Sequence, residues 1–134
     1  MIPIPEKLDR VLSRVQKPGR YAGGELNSVA KDRDQVSVRF AMCFPDLYEV
    51  GMSHLGMKIL YSLINSREDY WCERVFAVED DMAQEMVKAG ILLYGLESFT
   101  PIREMDLIGF TLQYEMGYTT LLEMLDQAGL PVRA

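Results

Sequence analysis

The sequence predicts an α/β fold in which an open parallel sheet follows an N-terminal helix. Three observations lead to this prediction: two apolar runs suit buried strands, 36–43 and 106–112; a shorter strand candidate, 72–78, lies between them; and segments with helical periodicity separate the strands. Strands that alternate with helices form parallel sheets with right-handed crossovers. We expect the local strand order 2-1-3, with the first strand in the middle.

The chain before the first strand is predicted to form one helix and one loop. Within residues 6–16 the apolar positions share one helical stripe, formed by Leu8, Val11, Leu12 and Val15. Pro5 before it and Lys17-Pro18-Gly19 after it mark the two ends. We therefore divide the chain into an N-terminal helix and glycine-containing loop, 1–35, and a partial α/β domain, 36–134.

Three further helices and one extended piece are predicted between and after the strands. The first runs from Met52 to about Asn65 and has apolar residues at helical spacing, namely Met52, Leu55, Ile59, Leu60, Leu63 and Ile64. The second begins with the acidic residues 79–81, which complement a helix dipole, and stops at Gly90. A short extended piece, 92–98, follows, and the last helix covers about 117–128.

Composition and charge restrict the function classes. The chain has 134 residues, 49% hydrophobic and 25% charged, which suits one soluble domain. Neither a membrane span nor a secretory signal is expected. Residues 1–39 hold eight Lys/Arg and five Asp/Glu, whereas residues 40–134 hold six and fifteen. The acidic main body argues against nucleic acid as a partner, since phosphate contacts require a basic face.

The two cysteines are predicted to be structural. Cys43 and Cys72 are far apart in the sequence and form neither a metal-ligand pair nor a disulfide framework. Each lies in a strand-like apolar run, where a free thiol commonly behaves as a small buried hydrophobe. A reducing cytoplasm is the compartment that this pattern favours.

The turn after the first strand is the main candidate site. Ligands of parallel α/β sheets bind at the carboxyl ends of the strands, and Asp46, Tyr48 and Gly51 could line a pocket there. The alternative is a structural β-to-α turn capped by Asp46. His54, the only histidine, is expected to pack or to cap a helix, although imidazole can also ligate metal. The loop 20–27 suits a polar ligand or, in our preferred interpretation, docking between domains.

Long stretches of the sequence resemble the amino-terminal part of a group of bacterial radical SAM proteins. The resemblance is carried by Val15 to Tyr21, Gly23 to Val29, the block from Val38-Arg39-Phe40 through Phe44-Pro45-Asp46 to His54-Leu55-Gly56, Glu73 to Ala77, Leu96 to Ser98, and Ile108 to Glu115. Members of that group place a cobalamin-binding-like domain before a radical SAM barrel. The resemblance implies a three-layer, Rossmann-like fold with flavodoxin-type strand order.

The same resemblance implies five cofactor-binding candidates. Cobalamin-binding domains carry Asp-x-His-x-x-Gly after their first strand, and here Asp46, Tyr48 and Gly51 keep that spacing with Tyr48 in place of the cobalt-ligating histidine. Thr111 and Gln113 stand where such domains have a Ser-x-Leu element. No cofactor is expected in this chain alone, cobalamin remains open for the complete domain, and SAM and a [4Fe–4S] cluster would belong to the barrel.

The expected function is that of an accessory domain. The sequence lacks a Cys-x-x-x-Cys-x-x-Cys loop and any catalytic constellation, so enzymatic activity of this chain is left open and its expected partner is a C-terminal radical SAM domain. Domains of this type have about five strands, so we interpret the chain as a fragment. The alternatives are a stand-alone interaction module that dimerises through the exposed edge of the third strand, and an independent enzyme.

Overall fold

A three-stranded, all-parallel open sheet forms the centre of the computed structural model, which describes residues 2–112, 115 and 117–131. Its strands are β1 (Val38–Phe44), β2 (Tyr70–Phe76) and β3 (Leu107–Phe110), in the order β2-β1-β3. In register, Phe40 of β1 lies opposite Cys72 of β2 and Leu107 of β3. The α/β class and the predicted 2-1-3 order are confirmed, and the arrangement is that of an incomplete Rossmann-like fold.

Five α-helices accompany the sheet in the described residues. They are α1 (Glu6–Leu12), α2 (Tyr48–Met52), α3 (Leu55–Asn65), α4 (Asp80–Ala89) and α5 (Gly117–Gln127). Helix α4 has the predicted boundaries, because Asp80 and Asp81 occupy its first turn and Gly90 ends it in the left-handed conformation, with φ of 69°. None of the helices in the described part of the chain is long and apolar enough to span a membrane.

The prediction of a single helix from Met52 to Asn65 is wrong at the start of the helix. The structure has two helices there, and α3 begins only at Leu55. The break occurs at His54, whose Nδ1 accepts a hydrogen bond of 3.1 Å from the backbone N–H of Met57 and so caps α3. The predicted capping role of His54 is thereby confirmed, and its ring also packs 5.2 Å from that of Phe44.

Other boundaries also differ from the prediction. Strand β2 covers Tyr70–Phe76 instead of 72–78, and β3 covers Leu107–Phe110 instead of 106–112. Helix α1 ends at Leu12 instead of residue 16, although Val15 is still buried. The extended piece 92–98 contributes no strand and makes a single bridge between Tyr94 and Pro101. Its chain turns at Phe99, a non-glycine residue with φ of 60°.

The core lies on both faces of the central strand. Ala41, Cys43 and Cys72 have no exposed surface, and both cysteines are free thiols, as the sequence predicts. Burial raises the pKa of both thiols, which keeps them protonated. No cluster of potential metal ligands occurs among the described residues.

Helix α3 presents an apolar surface to solvent. It directs Met57 and Tyr61 into the core, whereas Leu55, Ile59 and Leu63 are 70%, 50% and 61% exposed. The apolar spacing that predicts the helix therefore does not identify its buried face. The four-residue spacing of the exposed leucine and isoleucine side chains places them on one stripe.

Candidate functional site

A cavity of about 660 Å³ lies between the loop 25–29, helices α2 and α3, and the carboxyl-terminal half of β2. Its location fits the rule that ligands bind at the carboxyl ends of parallel strands. Its apolar lining includes Met52, Met57 and Phe76, and its polar lining includes Glu25, Lys58, Tyr61, Ser62 and Arg74.

Arg74 is the centre of a buried polar network beside this cavity. Its Nε donates to Glu97 at 2.6 Å, and its Nη2 donates to Glu25 at 2.7 Å. The third guanidinium nitrogen, Nη1, lies 3.2 Å from the sulfur of Met52. All three nitrogens therefore have partners, and the guanidinium is held in one orientation.

Glu97 links the network to the loop 25–29. Besides the guanidinium, it accepts the backbone N–H of Arg74 at 2.9 Å and the Tyr61 hydroxyl at 3.1 Å. The Tyr61 oxygen in turn accepts the backbone N–H of Val29 at 2.7 Å. This chain of hydrogen bonds ties the loop to β2 and fixes one wall of the cavity.

Tyr48 completes the network from the first turn of α2. Its hydroxyl donates to Glu25 at 2.6 Å, and its ring packs edge-on against Phe76 with centroids 5.5 Å apart. Each Glu25 oxygen thus has a donor, since Arg74 occupies the other one. The pocket residue predicted at position 48 acts by holding a neighbouring carboxylate.

Burial and charge have opposing effects on the titration of these groups. Burial raises the pKa of Glu97 to about 7, against the lowering effect of Arg74. Burial also acts to raise the pKa of Glu25, but hydrogen bonds from Arg74 and Tyr48 outweigh it and leave the pKa below its ordinary value. Burial, together with Glu25, raises the pKa of Tyr48 to about 12. For Arg74, burial acts to lower the pKa, but the combined effect of Glu97 and Glu25 is larger and raises it. The guanidinium therefore stays charged.

A second buried ion pair lies on the other face of β2. Arg39 donates to Glu73 at 2.7 Å, and Glu73 also accepts the Ser98 hydroxyl at 2.6 Å. The Arg39 guanidinium lies 5.0 Å from the centre of the Trp71 ring. Successive side chains of a strand point to opposite faces, so Glu73 and Arg74 place one ion pair on each side of the sheet. Neither Arg39 nor Glu73 lines the cavity.

A family model described as "Radical SAM proteins, N-terminal" matches residues 56–134 of this chain. That range is more than half of the sequence. The chain belongs to this family. It is therefore an accessory domain that belongs with a radical SAM domain in its parent protein. No curated protein and no solved structure was found to match the chain.

The matched range includes β2, β3 and all of α3 except its first residue, but not the turn at 44–51. Three of the network residues, Tyr61, Arg74 and Glu97, lie inside the range, whereas Glu25 and Tyr48 lie before it. The match thus supports the radical SAM part of the sequence resemblance. Of the five cofactor-binding candidates, Asp46, Tyr48 and Gly51 lie before the match, whereas Thr111 and Gln113 lie inside it.

The structure brings two of the five predicted site residues of this radical SAM N-terminal domain to the cavity. Gly51 lines it, and Tyr48 reaches it through Glu25. Asp46 does not line it: its Oδ1 accepts the backbone N–H of Leu47 at 2.8 Å, and its carbonyl accepts the N–H of Ala77 at 2.9 Å. The sequence predicts Asp46 as the cap of this turn, but the N-cap of α2 is Leu47, one residue later.

Thr111, the candidate just after β3, is not among the residues that line this cavity. Thr111 follows the strand and donates its backbone N–H to the carbonyl of Cys43 at 3.1 Å. Its buried hydroxyl oxygen has no hydrogen-bond partner among the described residues. Gln113 lies outside the described residues.

The loop 20–27, interpreted from the sequence as a docking loop, packs partly on its own domain. Tyr21 is buried and its carbonyl accepts the Tyr94 hydroxyl at 2.8 Å. Gly23 has φ of 62° and lies so close to the carbonyl of Leu96 that a side chain would collide with it. Leu26 remains almost fully exposed at the cavity.

Sequence reasoning missed Glu25, Arg74 and Glu97 as site residues. A signal was present for Arg74, because Glu73-Arg74 interrupts an otherwise apolar strand between Trp71 and Val78. Charged residues are rarely buried unless they are paired. The pairing with Glu25 and Glu97 joins parts of the chain 49 and 23 residues away, and no local pattern predicts it.

Proposed function

We propose that this domain forms one wall of a binding pocket that serves the radical SAM domain of its parent protein, and that it has no catalytic role alone. The observation that carries the proposal is the buried network of Arg74, Glu25 and Glu97 beside a cavity of about 660 Å³. This volume lies in the range of small-molecule sites, which are mostly apolar and contain a few fixed polar groups.

The energetics of the network support a role other than stability. Two charges lose their hydration when they are buried, and their attraction repays this cost only with good geometry. Apolar side chains of similar volume would serve the fold equally well or better. A buried cluster that touches the loop 25–29, α2, α3 and β2 does, however, hold the walls of the cavity in fixed positions.

Cobalamin, which the sequence resemblance leaves open, does not fit the residues present as a histidine-ligated cofactor. Position 48 carries a tyrosine whose hydroxyl is bound to Glu25. Gly51, which would permit close approach of a cofactor, is covered by the ring of Phe76, and a Cβ added there would collide with that ring. We therefore propose a pocket without a protein ligand to cobalt, which titration of the parent protein with cobalamin, followed by its visible spectrum, would test.

The pocket can be tested in the full-length parent protein with its cluster assembled. Ser62 is exposed and lines the cavity, so Ser62→Trp should place a bulky side chain in the cavity without disturbing the core. We expect a protein-free small-molecule extract to stimulate SAM consumption by the wild type but not by Ser62→Trp, while cluster content stays equal. Lys88→Trp on exposed α4 surface is the matched control. Equal stimulation of all three proteins would contradict the proposal.

A second candidate function, dimerisation through the sheet edge, is favoured by the exposure of β3. Among the described residues this strand pairs with β1 only, and Leu107 is 55% exposed. Unpaired strand edges invite pairing with another chain. Light scattering of this chain tests the idea: a dimer that Leu107→Lys dissociates is expected, and a monomer at all concentrations would contradict it.

A further inference from the structure

The charged side chains beside the cavity differ in whether they have hydrogen-bond and ion-pair partners. Glu25 receives one donor at each carboxylate oxygen, and Arg74 donates to two carboxylates and contacts the Met52 sulfur. The donors and acceptors of this cluster are directed at one another, and the cluster includes a second carboxylate, that of Glu97, besides Glu25. Their effect on a bound molecule is to shape the cavity.

Lys58 is the exception among the charged groups of the cavity. It lies on the side of α3 that lines the cavity, and in the described part of the chain its ammonium group has neither an ion pair nor a hydrogen bond. Lys31, in contrast, donates to three backbone carbonyls, those of Asn65, Arg67 and Tyr70. Lys58 therefore supplies an unpaired positive charge, on an exposed side chain, to the cavity.

A hydroxyl group lies next to this charge. Ser62 follows Lys58 by four residues in α3, so the two side chains are neighbours on the same helix face, and both line the cavity. In the described part of the chain the Ser62 hydroxyl has no hydrogen-bond partner of its own. An ammonium and a hydroxyl one turn apart can together bind an anionic group such as a carboxylate, phosphate or sulfonate.

The rest of the lining selects a different part of a ligand. Met52, Met57 and Phe76 form an apolar wall, and thioether and aromatic side chains adapt well to flat or irregular apolar molecules. The free cation and the apolar wall belong to one cavity. A ligand that satisfies both has an apolar body and one anionic group.

We infer that this cavity binds a small molecule with an apolar body and a single anionic group, and that Lys58 binds the anion. The inference rests on the proposed pocket and adds its ligand class. Two fluorescent probes with the same aromatic body separate the two parts: 8-anilinonaphthalene-1-sulfonate carries a sulfonate, and N-phenyl-1-naphthylamine lacks it.

Titration of this chain with both probes tests the inference. We expect Lys58→Gln to weaken binding of the sulfonate probe at least about fivefold and to leave the neutral probe unchanged, with the loss reduced at high salt. Lys88→Gln is the control for net charge, and Ile59→Gln is the control for binding to the exposed stripe of α3; neither should alter the binding of either probe. Ser62→Trp should weaken the binding of both probes because its indole occupies part of the cavity.

The outcomes distinguish the ligand class from the pocket itself. If Ser62→Trp weakens both probes but Lys58→Gln weakens neither, the anion is not bound by Lys58 and the inference fails while the pocket stands. If Ser62→Trp affects neither probe, or Ile59→Gln removes the binding, the probes bind to the surface and both the inference and the pocket are overturned. Circular dichroism melts of each variant confirm that the fold is intact.

Discussion

The guanidinium of Arg74 lies 2.6 Å from the carboxylate of Glu97, and the two side chains are 8% and 0% exposed. Removal of one member of such a pair destabilises the fold far more than removal of both. A single buried charge without a partner still bears its desolvation cost, but the attraction that compensated for it is gone. In this domain the pair also determines where the loop 25–29 lies, through Tyr61 and Val29.

Arg74→Met is expected to lower the free energy of unfolding by about 3 kcal/mol at pH 8, since it leaves the Glu97 carboxylate buried without its cation. Urea denaturation of the variant and the wild type measures the difference. Arg67→Met is the matched control: its guanidinium is mostly exposed and contacts Asp69 at 3.4 Å, so its loss should cost less than about 1 kcal/mol.

Removal of both buried charges should be less harmful than removal of one. The double variant Arg74→Met/Glu97→Met is expected to be at least about 1 kcal/mol more stable than Arg74→Met, because it no longer buries an unpaired carboxylate. If the second substitution lowers stability further, the interpretation of the pair as a mutually compensated charge cluster is wrong.

The stability that Glu97 contributes should decline as the pH rises. Its pKa is raised from an ordinary value of 4.5 to about 7 by burial, so between these values the folded state binds more protons than the unfolded state. The contribution is fully present below pH 4.5 and is lost as the pH rises to about 7, by at most about 1.4 kcal/mol per pH unit.

Glu97→Gln isolates this effect because it keeps the shape of the side chain and removes its titration. Urea denaturation between pH 5 and 8 should show the wild type losing stability relative to Glu97→Gln. Glu25 affects stability in the opposite direction, because its pKa is lowered in the folded state. The stability that Glu25 contributes is lost as the pH falls below 4.5. A stability difference that is constant from pH 5 to 8 would show that the Glu97 pKa is not raised.

The sheet was predictable from the sequence because its strands are almost wholly apolar and the connections between them are helical. Val38 to Phe44 had to be covered on both faces, which requires a central position. The buried face of α3 was not predictable in this way. Leu55, Ile59 and Leu63 satisfy the helical period of a core-facing stripe, yet β2 and the loop 25–29 contact the opposite side of the helix, where Tyr61 carries the polar link to Glu97.

The candidate site was predicted only in part, for a similar reason. The position of Gly51 and Tyr48 follows from the β1–α2 turn, which is local. The partners of Tyr48 come from distant segments: Glu25 is 23 residues earlier in the sequence, and its other partner, Arg74, lies on the neighbouring strand. Such contacts depend on how a long loop lies on the sheet, and the sequence pattern of that loop does not specify its path.

Tyr48→Phe is expected to destabilise the domain by about 1 kcal/mol, since it removes a hydrogen bond of 2.6 Å to an ionised carboxylate that is partly accessible to water. Glu25 keeps Arg74 as its second donor, so the loss should be smaller than that of Arg74→Met. Tyr118→Phe, at a tyrosine that is 56% exposed, should leave the urea midpoint unchanged. Equal effects of the two substitutions would mean that the Tyr48 hydroxyl is not bound to Glu25.

Gly51→Ala tests whether Phe76 covers the position that a cofactor would approach. Gly51 lies within α2, where alanine has the higher helix propensity. The new methyl group, however, would collide with the buried ring of Phe76, which the Tyr48 ring holds from its edge. Overpacking of this kind costs about 1–3 kcal/mol, so we expect a net destabilisation. Gly19→Ala, at an exposed turn with no atom within 4 Å of the added carbon, should cause no loss.

A second substitution can then restore the space. Gly51→Ala/Phe76→Leu should recover part of the stability that Gly51→Ala loses, relative to Phe76→Leu alone, because the smaller side chain no longer meets the methyl group. A neutral Gly51→Ala would instead show that the ring of Phe76 moves aside at little cost. In that case the turn between β1 and α2 would be open to a ligand, and Phe76 would not prevent cobalamin from approaching Gly51 closely.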